Sequence, residues 1–213
     1  MRIQLIPDPA KKGFTRLLEP LTDQFIRKNL NPNVFTTGGL VVNAAAGVLL
    51  GLGHLRAGGA LLLLGGVFDT FDGRVARGTG RVTRFGALYD STLDRYSEIF
   101  IFLGMAYHFF GTARPWVVAV ILLALGGSLM VSYVRARAEG LGFECKVGIV
   151  QRAERVLCLG LGALIHEKAL LFALVLVATL ANVTAIQRIH YIWALENGRK
   201  GEKLPQEQNY NGD

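Results

Sequence analysis

Four aspartates stand in two short stretches, Asp69-Thr-Phe-Asp72-Gly73-Arg74-Val-Ala76-Arg77 and Gly86-Ala-Leu-Tyr-Asp90-Ser-Thr-Leu-Asp94. On helices, Asp69 and Asp72 are i and i+3 while Asp90 and Asp94 are i and i+4, so each pair projects from one face. Two such faces on adjacent antiparallel helices bring four carboxylates together. Like charges at close quarters repel, and divalent cations are the usual remedy. A set of hard oxygen ligands without His or Cys selects magnesium, manganese or calcium over a structural zinc. The competing assignment is that Arg74, Arg77, Arg84 and Arg95 neutralise the aspartates as interfacial ion pairs.

The segments around these residues are strongly apolar. Of 213 residues 51% are hydrophobic, and the stretches 117–131 and 169–181 contain no charge. Hydropathy predicts an all-α integral membrane protein with six transmembrane helices, over 35–53, 58–72, 85–110, 114–134, 148–165 and 168–192, to cross about 30 Å of hydrocarbon. Burying the aspartates in lipid is costly, so they must face a water-filled or metal-containing cavity. Of the 23 Lys and Arg residues, Arg56, Arg114 and Lys168 alone fall in the three loops of one face. By the positive-inside rule the chain is a multi-pass protein of the cell membrane with both termini and the aspartates facing the cytoplasm. The net charge of +7 is thereby explained without a nucleic-acid partner.

Before the first span, Phe14, Leu17, Leu18, Leu21 and Phe25 recur at helical spacing against Lys11, Lys12, Arg16, Asp23, Arg27 and Lys28. That pattern predicts an N-terminal amphipathic interfacial helix, or one that packs on the rest of the protein. Pro20 is expected to kink it or divide it. The domain plan is a cytoplasmic N-terminal segment over 1–32, a six-helix transmembrane domain over 33–196 and a flexible polar cytoplasmic tail over 197–213. Gly47, Gly51, Gly65 and Gly66 permit close helix approach and a homodimer. Cys145 and Cys158 lack metal-ligand spacing and are expected to be reduced. A cation transporter is the alternative from another class, but the apolar stretches 61–64 and 99–103 opposite the aspartates argue against a through-path.

Written as Asp-x2-Asp-Gly-x2-Ala-Arg-x8-Gly-x3-Asp-x3-Asp, residues 69–94 match all eight defined positions and all spacings of the CDP-alcohol phosphotransferase signature. The chain resembles that family over nearly its whole length except the tail. The resemblance implies transfer of a substituted phosphate from CDP-diacylglycerol, or a related CDP-linked membrane lipid, to an acceptor hydroxyl, with release of CMP. It implies two Mg2+ ions, with Mn2+ as a substitute, one held by Asp69, Asp72 and Asp90 and the other by Asp69, Asp90 and Asp94. Asp94 would also take the acceptor's proton. Gly73, Arg77 and Thr83 would contact the cytidine diphosphate, with Pro32, Asn33, Val34 and Phe35 near the donor. Family members are often homodimers.

For the acceptor, the sequence offers a basic cluster on the same face. Ser132-Tyr-Val-Arg135-Ala-Arg137-Ala-Glu139 is followed by Lys146-Val-Gly148 and Arg152-Ala-Glu154-Arg155, and Arg188 lies near the end of the last span. Such a cluster suits a phosphorylated alcohol, although positive-inside charge alone would also account for it. The order of residues resembles the phosphatidylinositol-phosphate synthase branch and its archaeal relatives. By that resemblance Arg135, Arg137, Arg152, Arg155 and Arg188 grip inositol 1-phosphate. Glycerol 3-phosphate is the alternative acceptor.

Overall fold

Alternating caps and turns divide the chain into helices whose order places both aspartate pairs at one end. The structure, a computed structural model, describes residues 8–112 and 114–198, with side chains from residue 13 onward. Among them the chain is all helical: α1 (Asp8–Arg27), α2 (Pro32–Gly51), α3 (Leu55–Gly78), α4 (Arg84–Phe110), α5 (Pro115–Gly140), α6 (Arg152–Ile165) and α7 (Glu167–Gly198). Asn31 caps α2 by accepting from the Asn33 amide at 3.0 Å, and Pro32 supplies the preset φ of a first helical turn. Thr83 caps α4 through its Oγ1 to the Gly86 amide at 2.9 Å. A reciprocal capping box of Gln151 and Glu154 starts α6. Between α3 and α4, Gly80 adopts φ 67° in the turn that leads into α4. The expectation that the two aspartate helices are adjacent is corrected, since α2 packs against each of them and stands between them.

The helices close into a ring in which neighbours follow the order α2, α3, α6, α7, α5, α4 and back to α2. Its interior is filled by Leu50, Leu62, Ile101, Met105, Phe109, Ile121, Leu170 and Leu174, all nearly inaccessible. Among the described residues three helices, α2, α5 and α7, are long and apolar enough to cross a membrane. α3 and α4 are long but carry charge at one end, and α6 is a separate case. The sequence expectation of a span over 148–165 is corrected, since residues 141–151 are not helical and α6 has 14 residues. Its rise of about 21 Å is shorter than the hydrocarbon layer.

α1 runs unbroken through Pro20, which corrects the expectation of a division there. It lies on α3 through Leu18, Phe25 and Ile26, joined by a cluster in which the Phe25, Phe35 and Phe71 rings meet. Arg74 Nη1 donates to Thr15 O at 2.7 Å and secures the contact. Phe14, Leu17 and Leu21 remain exposed, so the apolar residues divide between two faces, one for the protein and one available to a lipid surface. The expected tail begins within α7 at residue 197, and 199–213 lie outside the described residues. Cys145 and Cys158 are both free thiols.

α2 and α4 approach closely where Gly47 faces Gly104. A Cβ on Gly104 would overlap the Gly47 carbonyl oxygen, a backbone atom that cannot swing aside. Gly104→Ala is therefore expected to lower stability by about 1–3 kcal/mol, the range for overpacking a tight contact. The check is a thermal melt of the two proteins in the same detergent; an unchanged midpoint would show that the helices separate without cost.

Candidate active site

All four signature aspartates sit at the same end of the ring, contributed by the last turns of α3 and the first turns of α4. They are close enough to repel one another: Asp90 acts electrostatically on Asp69, Asp72 and Asp94, and Asp69 on Asp72 and Asp94. The side chains of Asp69 and Asp94 are 22% and 16% exposed, so water screens them only in part. Asp72 is buried and its Oδ2 has no hydrogen-bond donor among the described residues. Gly39 of α2 faces Asp69, and a Cβ there would stand 3.4 Å from Asp69 Oδ1.

The charge is met by a residue of α6. Arg152 Nη1 bonds Asp69 Oδ2 and also reaches Asp94 Oδ1 at 2.8 Å, so one guanidinium bridges the carboxylates of α3 and α4. Arg95 Nη2 adds a longer contact to Asp94 Oδ2 at 3.5 Å. Of the four arginines the sequence offered as ion-pair partners, Arg95 thus makes one, while Arg74 turns to α1 instead. Arg152 was assigned to the acceptor phosphate, and here it lies on the aspartates.

In this arrangement no group of three or more His, Cys, Asp or Glu side chains among the described residues is poised around a single ion. The residues nevertheless fit a divalent cation. Four mutually repelling carboxylates, a buried oxygen with no donor and a guanidinium drawn into their midst together describe a place built for positive charge, with hard oxygen donors.

The donor residues divide by role. Arg77 lies over Gly73, its Nη1 3.5 Å from where a glycine Cβ would stand, so bare backbone and guanidinium share one surface. Thr83 is exposed, and its hydroxyl already caps α4. Pro32 and Phe35 are buried, whereas Asn33 and Val34 line an open groove of about 540 Å³ with Thr37, Val41 and Phe68. That groove is mostly apolar along its length and polar at the Asn33 end.

The basic cluster separates into parts. Arg135, Lys146, Gln151 and Arg188 line a pocket of about 100 Å³ beside the non-helical 141–151 segment. Arg188 is held there by its Nε to Val147 O at 2.9 Å and by Nη1 to Val131 O. Arg135 is exposed and pairs with Glu139 at 2.8 Å. Lys146 pairs with Glu144, and the ammonium holds that carboxyl below its usual range. Arg137 is exposed and lies outside the lining, and Arg155 is buried against Glu98. The sequence reading missed Glu98, Gly39 and Gln151. Glu98 was findable, because it continues the Asp90, Asp94 series by another four residues.

Known proteins resemble this chain in sequence and in fold. The sequence profile of CDP-alcohol phosphatidyltransferase matches residues 29–195. The archaetidylinositol phosphate synthase of Methanothermobacter thermautotrophicus is 42% identical over 183 residues, 84% of this chain and 89% of that protein. The crystal structure of Mycobacterium tuberculosis phosphatidylinositol phosphate synthase with CDP-DAG bound superposes with a TM-score of 0.77 at 32% identity, covering 84% of this chain and 94% of that one. The same enzyme in complex with manganese and citrate gives a TM-score of 0.76, over 82% and 88%. A likeness that runs through both sequence and fold leaves one assignment: this chain is an enzyme of the CDP-alcohol phosphatidyltransferase family.

Proposed function

We propose that the enzyme transfers the phosphatidyl, or related lipid phosphate, group of CDP-diacylglycerol or a similar CDP-lipid to inositol 1-phosphate, giving a phosphatidylinositol phosphate and CMP. The observation that carries this reading is the convergence of Asp69, Asp72, Asp90 and Asp94 at one end of the ring, beside a separate basic pocket. Two divalent ions, Mg2+ or Mn2+, would be held by Asp69, Asp72 and Asp90 and by Asp69, Asp90 and Asp94, and when bound would neutralise the pyrophosphate and make CMP a better leaving group.

The remaining work belongs to side chains. Arg77 offers a planar fork to the diphosphate oxygens, and Gly73 lets them approach the backbone. Thr83 stands at the start of α4 near the cytidine diphosphate. The groove bordered by Asn33, Val34 and Val41 takes the apolar part of the donor, with Pro32 and Phe35 bracing it from behind. Asp94 accepts the proton of the acceptor hydroxyl as it attacks the lipid-side phosphorus. Arg135 and Arg188 bind the acceptor's phosphate with Lys146, and Arg152 joins them once released from the aspartates. Arg137 and Arg155 act at longer range. α3, α4 and the shorter α6 complete a six-helix membrane domain over 33–196, with both termini cytoplasmic and a homodimer as the working form.

The test is CMP release by the purified protein from CDP-diacylglycerol with inositol 1-phosphate, glycerol 3-phosphate, inositol or serine as acceptor. Inositol 1-phosphate is expected to be fastest, and free inositol poor because it cannot use the basic pocket. Arg135→Ala should raise the Michaelis constant for inositol 1-phosphate by about 5- to 150-fold with donor affinity almost unchanged, the loss of one charge-assisted contact. Faster release with glycerol 3-phosphate would move the enzyme to another branch of the family. Equal rates with inositol and its phosphate would make the cluster a matter of membrane topology alone.

A further inference from the structure

Below the aspartates, the interior of the ring holds a second layer of charge. Glu98 lies one turn beyond Asp94 on α4, and Arg155 one turn beyond Arg152 on α6. Arg155 Nη2 donates to Glu98 Oε1 at 2.5 Å, with the two side chains 2% and 7% exposed. Two rungs therefore cross from α4 to α6, Asp94 with Arg152 at 2.8 Å and Glu98 with Arg155 beneath it. These helices are not neighbours in the ring, so ion pairs link them across the interior. Arg95 Nε stands 3.7 Å from Glu98 Oε2. Under the rungs is a cavity of about 20 Å³, lined in part by Asn43, Ser97, Glu98 and Arg155, room for about one water. Nε and Nη1 of Arg155 are buried with no hydrogen-bond partner among the described residues.

We propose that Glu98 is a positioning residue: it holds Arg155 away from Asp94 and Asp69, leaving those carboxylates free for divalent cations once Arg152 yields. The proposal rests on the reading of the aspartates as metal ligands. A buried guanidinium that loses its partner is costly. With Glu98 neutralised, the next carboxylate along that face of α4 is Asp94, one turn away. Arg155 then competes with the cation there, and the site as a whole gains one unit of positive charge.

The experiment is a titration of the full-length protein in detergent with Mn2+ alone, free Mn2+ being read by electron paramagnetic resonance, without substrate. Glu98→Gln should weaken the Mn2+ Kd by about tenfold or more, since a broken buried pair leaves its charge unmatched. Glu98→Asp keeps the charge and should lie closer to the parent. Removing both charges in Glu98→Gln/Arg155→Gln should restore the Kd to within about threefold, because a buried pair is replaceable as a unit. A folded Glu98→Gln protein with the parental Kd would overturn the proposal. So would a double variant that binds Mn2+ about tenfold or more weakly than the parent, a comparison that still decides the matter where Glu98→Gln alone does not fold. A parent that binds no Mn2+ would remove the metal reading itself, and this inference with it.

Discussion

Asp69→Asn is expected to abolish CMP release while leaving a folded membrane protein, a fall of at least about 10³-fold or roughly 4 kcal/mol of lost transition-state stabilisation. Asp69 sits where Oδ1 faces Gly39 of α2 and Oδ2 faces Arg152 of α6, so it meets both helices that flank α3 in the ring. In the proposed site it would belong to both ion sites, as would Asp90, and Asp90→Asn should be comparably severe. Asn preserves volume and removes the charge, so helix packing is left intact. Circular dichroism and gel filtration would verify folding, and CMP release would be followed over a range of Mg2+ and Mn2+. Full activity in excess chelator, or in either folded variant, is incompatible with a two-ion site.

Asp94→Asn separates binding from proton transfer. Its side chain is 16% exposed and touches Arg152 and Arg95 at 2.8 and 3.5 Å, positions that hold the carboxylate steady at the mouth of the ring. An amide can still offer one oxygen to a cation but cannot take the proton of the attacking hydroxyl. Turnover should fall by about 10²- to 10⁴-fold, the usual contribution of a general base, with CDP-lipid and Mn2+ binding retained in equilibrium measurements. A large loss of turnover at saturating substrate, with little change in the donor Michaelis constant, is the expected signature. Near-normal turnover with metal bound would assign the base elsewhere.

The two predictions concern residues that were legible from spacing alone. Asp69 with Asp72, and Asp90 with Asp94, recur at helical intervals in otherwise apolar surroundings, so their common face follows from local geometry. Helix starts were similarly local, because Asn31-Pro32 and Thr83 carry their capping chemistry within one turn. The extent of α6 was not legible in this way. Gly148 and Val150 look apolar enough to extend a span, yet the Gln151–Glu154 capping box starts the helix at Arg152.

Which arginine meets which carboxylate was decided by the tertiary structure. Sequence placed Arg152, Arg155, Arg135 and Arg188 in one group because they share a cytoplasmic face. Closing the ring turned Arg152 to Asp69 and Asp94, sent Arg155 inward to Glu98, and left Arg135 and Arg188 to line a separate pocket. A long flexible cation has several partners within reach, and the choice among them depends on helices far apart in the chain, α3, α4 and α6, meeting across one interior. Short aspartates on a rigid helix have little such choice, so the sequence determined the carboxylate pairs by itself, while their counter-charges emerged only when the ring closed.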